Sequence, residues 1–272
     1  MTTEQRDDVE RGRVFGEVAE VYDAARPGYP DDLVSEVLGY AALGDRPAVE
    51  VGAGTGKATV AFAARGVPLV CVEPDPQMAA VLRRNTAAYA DVRIDVGGFE
   101  EWQPGGRRYG LLIAASSWHW VDQARRWDLA YGALAPGGAM ALAWHVYGVH
   151  DTALHSALAE VDTRYGMVHT PHSDPLAAYD DESAAWTEQA GRPEPECRRD
   201  GRFTDLRSIR FRQEHRYSAD AYRDHLLSVS AYRILPDHRR EQVLTEVART
   251  LEAHGGGITV DRVTDLFLAR AR

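Results

Sequence analysis

Val49-Glu50-Val51-Gly52-Ala53-Gly54-Thr55-Gly56-Lys57 is the stretch on which the fold of this chain turns. A short apolar run with an embedded acid leads into three alternating glycines, and the residues beyond them have helical spacing. Strand, glycine turn, helix is the opening unit of an open α/β sheet. Glycine carries no Cβ and tolerates positive φ, so a loop built from it lets a ligand approach the backbone itself. The next apolar run, Leu69-Val70-Cys71-Val72-Glu73, also ends in an acid. A glycine loop after one strand and a carboxylate at the end of the next read together as a nucleoside site.

The alternation continues in both directions. Upstream, a helix is expected from about Val9 to Tyr22, then a break at Arg26-Pro27-Gly28-Tyr29-Pro30 and a helix opening at Asp31-Asp32. Downstream come a helix from Pro76, a strand at Val92–Val96, an apolar strand at Leu111–Ala115 and a helix over Asp122–Leu134. A turn at Pro136-Gly137-Gly138 then precedes a strand at Ala139–Trp144. Alternating strands and helices of this kind predict a doubly wound, mostly parallel sheet. The pattern weakens after Val146, where helices and loops to about residue 200 read as an insertion beyond the fifth strand. Arg207–Tyr217 alternates like an exposed strand, Ser218–Val229 and Asp237–Ala253 read as helices, and Val260–Ala271 closes the chain as a strand. The organisation expected is one domain over 1–272, with 1–30 as an N-terminal cap and about 147–200 as a helical substrate lid.

The chain has 272 residues and a formal net charge of −10, a balance that argues against a nucleic-acid surface. No apolar run is long enough to span a membrane, and the polar start, Thr2 to Glu10, has no signal-peptide pattern. Two cysteines, Cys71 and Cys197, are too few for a disulfide framework. These features lead us to expect a soluble cytoplasmic protein, monomeric or homodimeric.

Three chemistries compete for the glycine loop. A phosphate-binding P-loop needs a glycine five residues before Gly56 and Ser or Thr after Lys57; the chain has Val51 and Ala58. A dinucleotide loop, GxGxxG, finds Lys57 where its third glycine belongs, although Glu73 would suit a ribose. The third is an acid followed by GxGxG. Carboxylates at strand ends suit a ligand with a sulfonium and an α-amino group, S-adenosylmethionine, better than a pyrophosphate. A glycine turn that binds nothing is the plain structural alternative.

The chain resembles class I S-adenosylmethionine-dependent methyltransferases, within them the small-molecule branch that includes trans-aconitate methyltransferase-like proteins. The resemblance rests on Phe15–Asp23 with Ala25–Pro30, Glu50–Gly56, Val72-Glu73-Pro74-Asp75, Gly98-Phe99-Glu100, Trp118-His119-Trp120 and Leu134-Ala135-Pro136-Gly137-Gly138. It implies a Rossmann-like, seven-stranded sheet with an N-terminal helical cap and a helical insertion after the fifth strand. It further implies that Gly52 and Gly54 lie against the methionine portion of the cofactor with Glu50 nearby, and that Glu73 accepts both ribose hydroxyls. Gln77 or Met78 would flank the adenine, Phe99 would sit at its edge with Glu100 close, and Tyr22 and Arg26 would close the cofactor from the cap. Ser116 would open the loop near the sulfonium. Gly98 departs from the family, which often has a carboxylate there, and Gly110 replaces an acid common at the start of the fourth strand.

In an open α/β sheet the ligand lies beyond the carboxyl ends of the strands. The segments leaving those ends, Ser116–Trp120 and Trp144–Tyr147, are therefore the substrate candidates. Trp118, Trp120, Trp144 and His145 would form aromatic walls suited to an apolar or planar small molecule. Trp118 and Trp120 point opposite ways if the loop is extended. His119 could remove a proton as a methyl group arrives, or it could simply fix the loop. Tyr232 and Arg233 follow a helix and could reach the pocket; Arg233 could bind a carboxylate or stay solvated. His145, His150, His155, His169 and His172 have no metal-ligand spacing, so no metal is expected. The reaction these features imply is methyl transfer to an O, N or C nucleophile, with S-adenosylhomocysteine as product. S-adenosylmethionine chemistry without methylation (cyclisation or rearrangement) and non-catalytic binding of the same ligand fit the same motifs.

Overall fold

The computed structural model describes residues 19–168, 170–172 and 193–272. The expected helix at Val9–Tyr22 lies outside them up to residue 18, as do Phe15 and His169.

In chain order the elements are α1 (Ala19–Ala25), α2 (Asp31–Ala41), β1 (Ala48–Val51), α3 (Lys57–Ala63), β2 (Leu69–Glu73), α4 (Pro76–Asn85), β3 (Val92–Val96) and β4 (Tyr109–Ala115). A 3₁₀ turn (Trp118–Trp120), α5 (Arg126–Ala133), β5 (Leu134–Val149), α6 (Thr152–Tyr165) and α7 (Pro193–Asp200) follow. The chain closes with β6 (Phe203–Ser218), α8 (Ala219–Leu227), α9 (Ser230–Arg233), α10 (Asp237–Ala253) and β7 (Gly257–Ala271). The seven strands form one sheet in the order β3-β2-β1-β4-β5-β7-β6, and the four ladders from β3 to β5 are parallel. Strand order reverses between β1 and β4, which places the ligand crevice of such a sheet beyond the carboxyl ends of those two strands. The expected seven-stranded, Rossmann-like α/β architecture is therefore the one observed.

Local chemistry explains the elements around that crevice. β1 and β2 are buried along their whole length and β4 nearly so, as the centre of a parallel sheet requires. Asp75 caps α4 by accepting from Gln77 N at 2.7 Å and Met78 N at 3.0 Å, Pro76 fits its first turn, and Arg83 and Arg84 complement its last. Strands β4, β5, β6 and β7 run longer than expected, and two further departures have a local cause. The helix expected from Asp122 begins at Arg126, because the Asp122 carboxylate accepts from Ala124 N at 2.8 Å and holds a turn first. The turn expected at Pro136–Gly138 is a bulge inside β5: Tyr109 pairs with Leu134, yet Leu111 pairs with Ala139. Gly138 is needed there, since a Cβ would stand 2.8 Å from Ala135 O and 2.9 Å from Tyr109 O. Gly110 has a packing reason too: a Cβ would meet Arg46 Cβ and Leu43 Cδ2, each at 2.8 Å.

The chain divides into two compact units. One holds residues 27–144, 193–211 and 265–272, with a core of Val34, Val37, Phe62, Leu69, Cys71, Leu82, Leu111, Ile113, Leu266 and Leu268 among others. The other holds residues 19–26, 145–172 and 212–264 of the described chain, with a core built on Leu158, Tyr222, Leu226, Tyr232, Val243, Val247 and Val260. Both cysteines are free and buried, and burial raises the Cys71 thiol far above its ordinary range, so Cys71 is a core residue.

Candidate active site

The glycine loop leaves β1 with Gly52 at φ 65°, Gly54 at 58° and Gly56 at 93°. Each glycine faces something different. A Cβ on Gly52 would lie 2.5 Å from Ser117 Cβ, and Ser117 is anchored by donating its hydroxyl to Val51 O. A Cβ on Gly56 would lie 2.6 Å from Leu82 Cδ1 of α4. A Cβ on Gly54 would enter open space. The loop is thus packed from behind at two glycines and open at the third. The Thr55 hydroxyl, buried in the same loop, has no hydrogen-bond partner.

Glu73, at the end of β2 and 5 % exposed, reaches across to this loop. Its Oε2 accepts from Gly54 N at 2.7 Å and its Oε1 from Asp75 N at 2.9 Å. An ionised carboxylate has about four acceptor directions, so each oxygen keeps one for a further donor. Burial lifts the Glu73 pKa to about 7 against the two backbone donors, which favour the charged form. Glu50 has a different environment: it is 1 % exposed and accepts from Thr59 Oγ1 of α3 at 2.7 Å. Burial, with help from the Glu73 charge, pushes its pKa up to about 8. The folded chain therefore holds a proton on Glu50 that the unfolded chain releases near pH 4.5. The stability from that proton is complete below the unfolded value and is lost as pH rises through about 8. A Glu50→Gln protein should accordingly gain in Tm over wild type as pH rises across this window, measured by calorimetry at a series of pH values.

Beyond Glu73 the chain reaches β3, where Glu73 pairs with Val96 and Gly97 N donates to Glu73 O at 3.0 Å. Of the two residues expected to flank a base, Gln77 is exposed and Met78 is buried. Phe99 is buried, its ring stacked on Trp102 at 6.0 Å. At Gly98 a Cβ would stand 2.6 Å from Glu101 Oε2 and 3.3 Å from Glu100 Oε2. Carboxylates from the following turn thus fill the space that a side chain at 98 would take. Glu101 was not among the sequence-derived candidates; only the turn, closed by Glu101 N donating to Gly98 O at 3.3 Å, brings it there.

Beyond β4, Ser116 has φ 58° and shares a hydrogen bond with Tyr29 OH at 3.1 Å. The 3₁₀ turn separates its three aromatic side chains. Trp118 is 1 % exposed, packs edge-on to Trp127 at 5.4 Å and lies under the Arg126 guanidinium at 5.6 Å. Arg126 pairs in turn with Glu196 of α7. Trp118 is thus a core side chain. His119 is exposed, with its ring 4.4 Å from the half-buried Trp120, and Trp144 is partly exposed at the same unit's end of β5.

The remaining candidates, Tyr22, Arg26, His145, Tyr232 and Arg233, belong to the other unit. Arg26 stacks over Tyr22 at 5.4 Å and donates to Ser228 O at 3.0 Å. Tyr232 is fully buried and donates to Asp162 Oδ1 at 3.1 Å. Asp162 also receives Thr170 and His172 Nδ1, and His172 Nε2 meets Tyr222 OH at 2.7 Å. His172, one of the five histidines without metal-ligand spacing, is locked in this buried network, as a buried imidazole must be partnered. Among the described residues no three His, Cys, Asp or Glu groups converge in a metal-binding arrangement. No described helix is long and apolar enough to cross a membrane.

Comparison with known proteins agrees with this geometry. Residues 48–138 match the family model described as a methyltransferase domain. Uncharacterized methyltransferases of Mycobacterium tuberculosis and Mycobacterium bovis are 36% identical over 131 residues, 48% of this chain and 51% of each relative. The chain thus spans about half the length of the curated relatives it matches. A candidate type II methyltransferase from Anaeromyxobacter dehalogenans shares the fold with a TM-score of 0.58 at 22% identity, covering 90% of this chain and 97% of that one. A Haemonchus contortus N-methyltransferase, solved with phosphomonomethylethanolamine and S-adenosylhomocysteine, shares it at 0.54 and 14% identity, covering 99% and 60%. Residues 48–138, which match the methyltransferase-domain family model, hold the glycine loop, the Glu73 carboxylate and the Trp118–Trp120 turn within a Rossmann-like sheet.

Proposed function

We propose that the chain transfers a methyl group from S-adenosylmethionine to an O, N or C nucleophile of a small organic molecule. The observation that carries this reading is the buried Glu73 carboxylate bonded across to Gly54 N, beside a loop whose middle glycine opens onto empty space. Glu73 would accept the ribose diol, Gly52–Gly54 would receive the amino-acid end, and the turn at 98–101 would meet the adenine. S-adenosylmethionine would supply an electrophilic methyl on a sulfonium, the S–C bond breaking as the nucleophile–C bond forms, and a proton carried by the nucleophile would pass to a base or to solvent. The chain's part is to hold and orient the two partners and exclude water. A cytoplasmic setting and the narrower likeness to trans-aconitate methyltransferase-like proteins belong to this proposal.

The direct test is incubation with S-adenosylmethionine and candidate acceptors, read by mass spectrometry. Gain of one methyl with release of S-adenosylhomocysteine supports the reading; a cyclised cofactor or an isomerised acceptor replaces it. Binding also carries a pH signature. The ionised form of Glu73 accepts the diol, so affinity for S-adenosylhomocysteine should climb as pH rises through about 7 and level off above it. Titration calorimetry between about pH 5.5 and 8.5 reads this; a flat profile contradicts the assignment. For an acceptor whose nucleophile carries a proton, His119 is the base candidate. His119→Ala should then lower kcat by about a hundredfold or more and leave S-adenosylhomocysteine affinity unchanged. A kcat within threefold of wild type, about 0.6 kcal/mol, would leave the loop-fixing role.

A further inference from the structure

Within the unit of residues 27–144, 193–211 and 265–272, one charged pair sits in an unfavourable place. Arg126 is the first residue of α5 and is 3 % exposed. A cation there loses its hydration and faces the positive end of the helix dipole. Its partner is Glu196 of α7, 70 residues further on. Glu196 Oε2 accepts from Arg126 Nε at 3.2 Å and from Trp127 Nε1 at 2.9 Å, with Arg126 Nη2 on the same oxygen. Burial alone would raise the Glu196 pKa; the bonds from Arg126 and Trp127 outweigh it and hold the carboxyl below its ordinary range. Replacing a buried ion pair by neutral groups of similar volume is often neutral or stabilising, so stability does not account for this one.

The remaining arm of the guanidinium shows what the pair holds. Arg126 Nη1 donates to Trp118 O at 3.5 Å, and the guanidinium lies over the Trp118 ring at 5.6 Å. Trp127 closes the same ring edge-on at 5.4 Å. Trp118 is thereby gripped by backbone and side chain at the entrance of the 3₁₀ turn. The turn itself is closed by Trp120 N donating to Ser117 O at 3.0 Å and Val121 N to Trp118 O at 3.3 Å. With about three residues per turn, successive side chains step round by about 120°. Once Trp118 is fixed inward, the directions of His119 and Trp120 are fixed with it. The exit is held separately: Asp122 N donates to Glu100 Oε1 at 2.8 Å, and Arg125 Nη2 to Glu100 O at 2.9 Å.

We propose that Arg126 and Glu196 are positioning residues for the methyl transfer: the pair fixes Trp118 at the entrance of the turn, and through it the direction in which His119 faces. Both act through Trp118 and neither touches a reacting atom. The role in catalysis rests on the proposed reaction, whereas the fixing of the turn does not. Arginine suits the task because its planar fork donates to a carboxylate and to a carbonyl at once while stacking on a ring, a combination lysine cannot give.

The test uses the full chain and reads the turn directly. In the double variant Arg126→Met, Glu196→Gln the amide at 196 still accepts from Trp127, so only the grip on Trp118 is lost. Its Tm should stay within about 5 °C of wild type or rise. Hydrogen exchange should quicken by about tenfold or more at the Trp120 and Val121 amides and stay as slow as in wild type along β4, a local opening. Glu196→Gln alone removes the charge but keeps the acceptor; it should quicken the same two amides by about threefold, and it carries the comparison if the double variant does not fold. The catalytic readout uses the acceptor that wild type methylates in the mass-spectrometric assay. There kcat should fall by about tenfold or more in the double variant while S-adenosylhomocysteine affinity stays within about twofold. A pair that served stability alone would instead lower Tm and leave the kcat of the folded protein unchanged. Exchange at the turn like that of wild type, equal acceleration at the turn and along β4, or a loosened turn with unchanged kcat would each overturn the proposal. If wild type methylates no acceptor, the methyl-transfer reading fails and the catalytic role with it, whereas the exchange profiles still decide whether the pair fixes the turn.

Discussion

Glu73→Ala should abolish measurable binding of S-adenosylhomocysteine. The carboxylate would accept two hydroxyl donors, and charge-assisted hydrogen bonds contribute about 1.5–3 kcal/mol each, so the expected loss is about 3–6 kcal/mol, or roughly a hundredfold to ten-thousandfold in Kd. The substitution also strips the acceptor from Gly54 N and Asp75 N, so part of the effect comes from a loosened loop. Glu73→Gln separates the two contributions. It keeps the volume and one acceptor oxygen but turns the other into a donor facing N–H or hydroxyl donors, and it should weaken binding nearly as much with a smaller fall in Tm. Calorimetric titration and thermal unfolding on both variants check this. A well-folded Glu73→Ala protein that binds normally would place the nucleoside elsewhere.

The second large effect is expected from alanine at two glycines of one loop, with opposite outcomes. Gly52→Ala forces a Cβ to within 2.5 Å of Ser117 Cβ at φ 65°, and neither backbone can yield easily because Ser117 is bonded to Val51 O. Conformational strain of about 1 kcal/mol and overpacking of about 1–3 kcal/mol together predict a fall in Tm on the order of 5–10 °C. Gly54→Ala has a similar φ, 58°, but its Cβ meets nothing within 4 Å. It should cost about 1 kcal/mol of stability while obstructing the open side of the loop, so S-adenosylhomocysteine affinity falls much further than Tm. If the two variants lose stability equally, the packing contrast between the glycines is wrong; if Gly54→Ala binds like wild type, the ligand does not approach that glycine.

These contrasts mark where sequence reading ends. The three glycines look equivalent as letters, and the chain carries no local sign that Ser117, 65 residues later, stands behind only one of them. The same holds for Trp118-His119-Trp120. An extended loop would set the tryptophans on opposite sides, but the 3₁₀ turn and the Arg126–Glu196 pair decide that Trp118 is the buried one. Glu50 and Glu73 read as two similar acids at strand ends. In the fold one is sealed against Thr59 and the other reaches the loop backbone. Glu101 was missed because nothing in the local pattern shows that a turn folds it over Gly98.

By itself the sequence determined the order of strands and helices, the glycine turn after β1, the acid closing β2 and hence the doubly wound sheet. These signals are short-range: side-chain periodicity, helix caps and the freedom of glycine at positive φ act within a few residues. Only the tertiary structure decided which glycine is packed and which is open, which carboxylate faces the loop, and that Glu196 meets Arg126 where it covers Trp118. The physical reason is that folding lays side chains far apart in the chain, here by 70 residues, beside one another, where burial and charge act on them together.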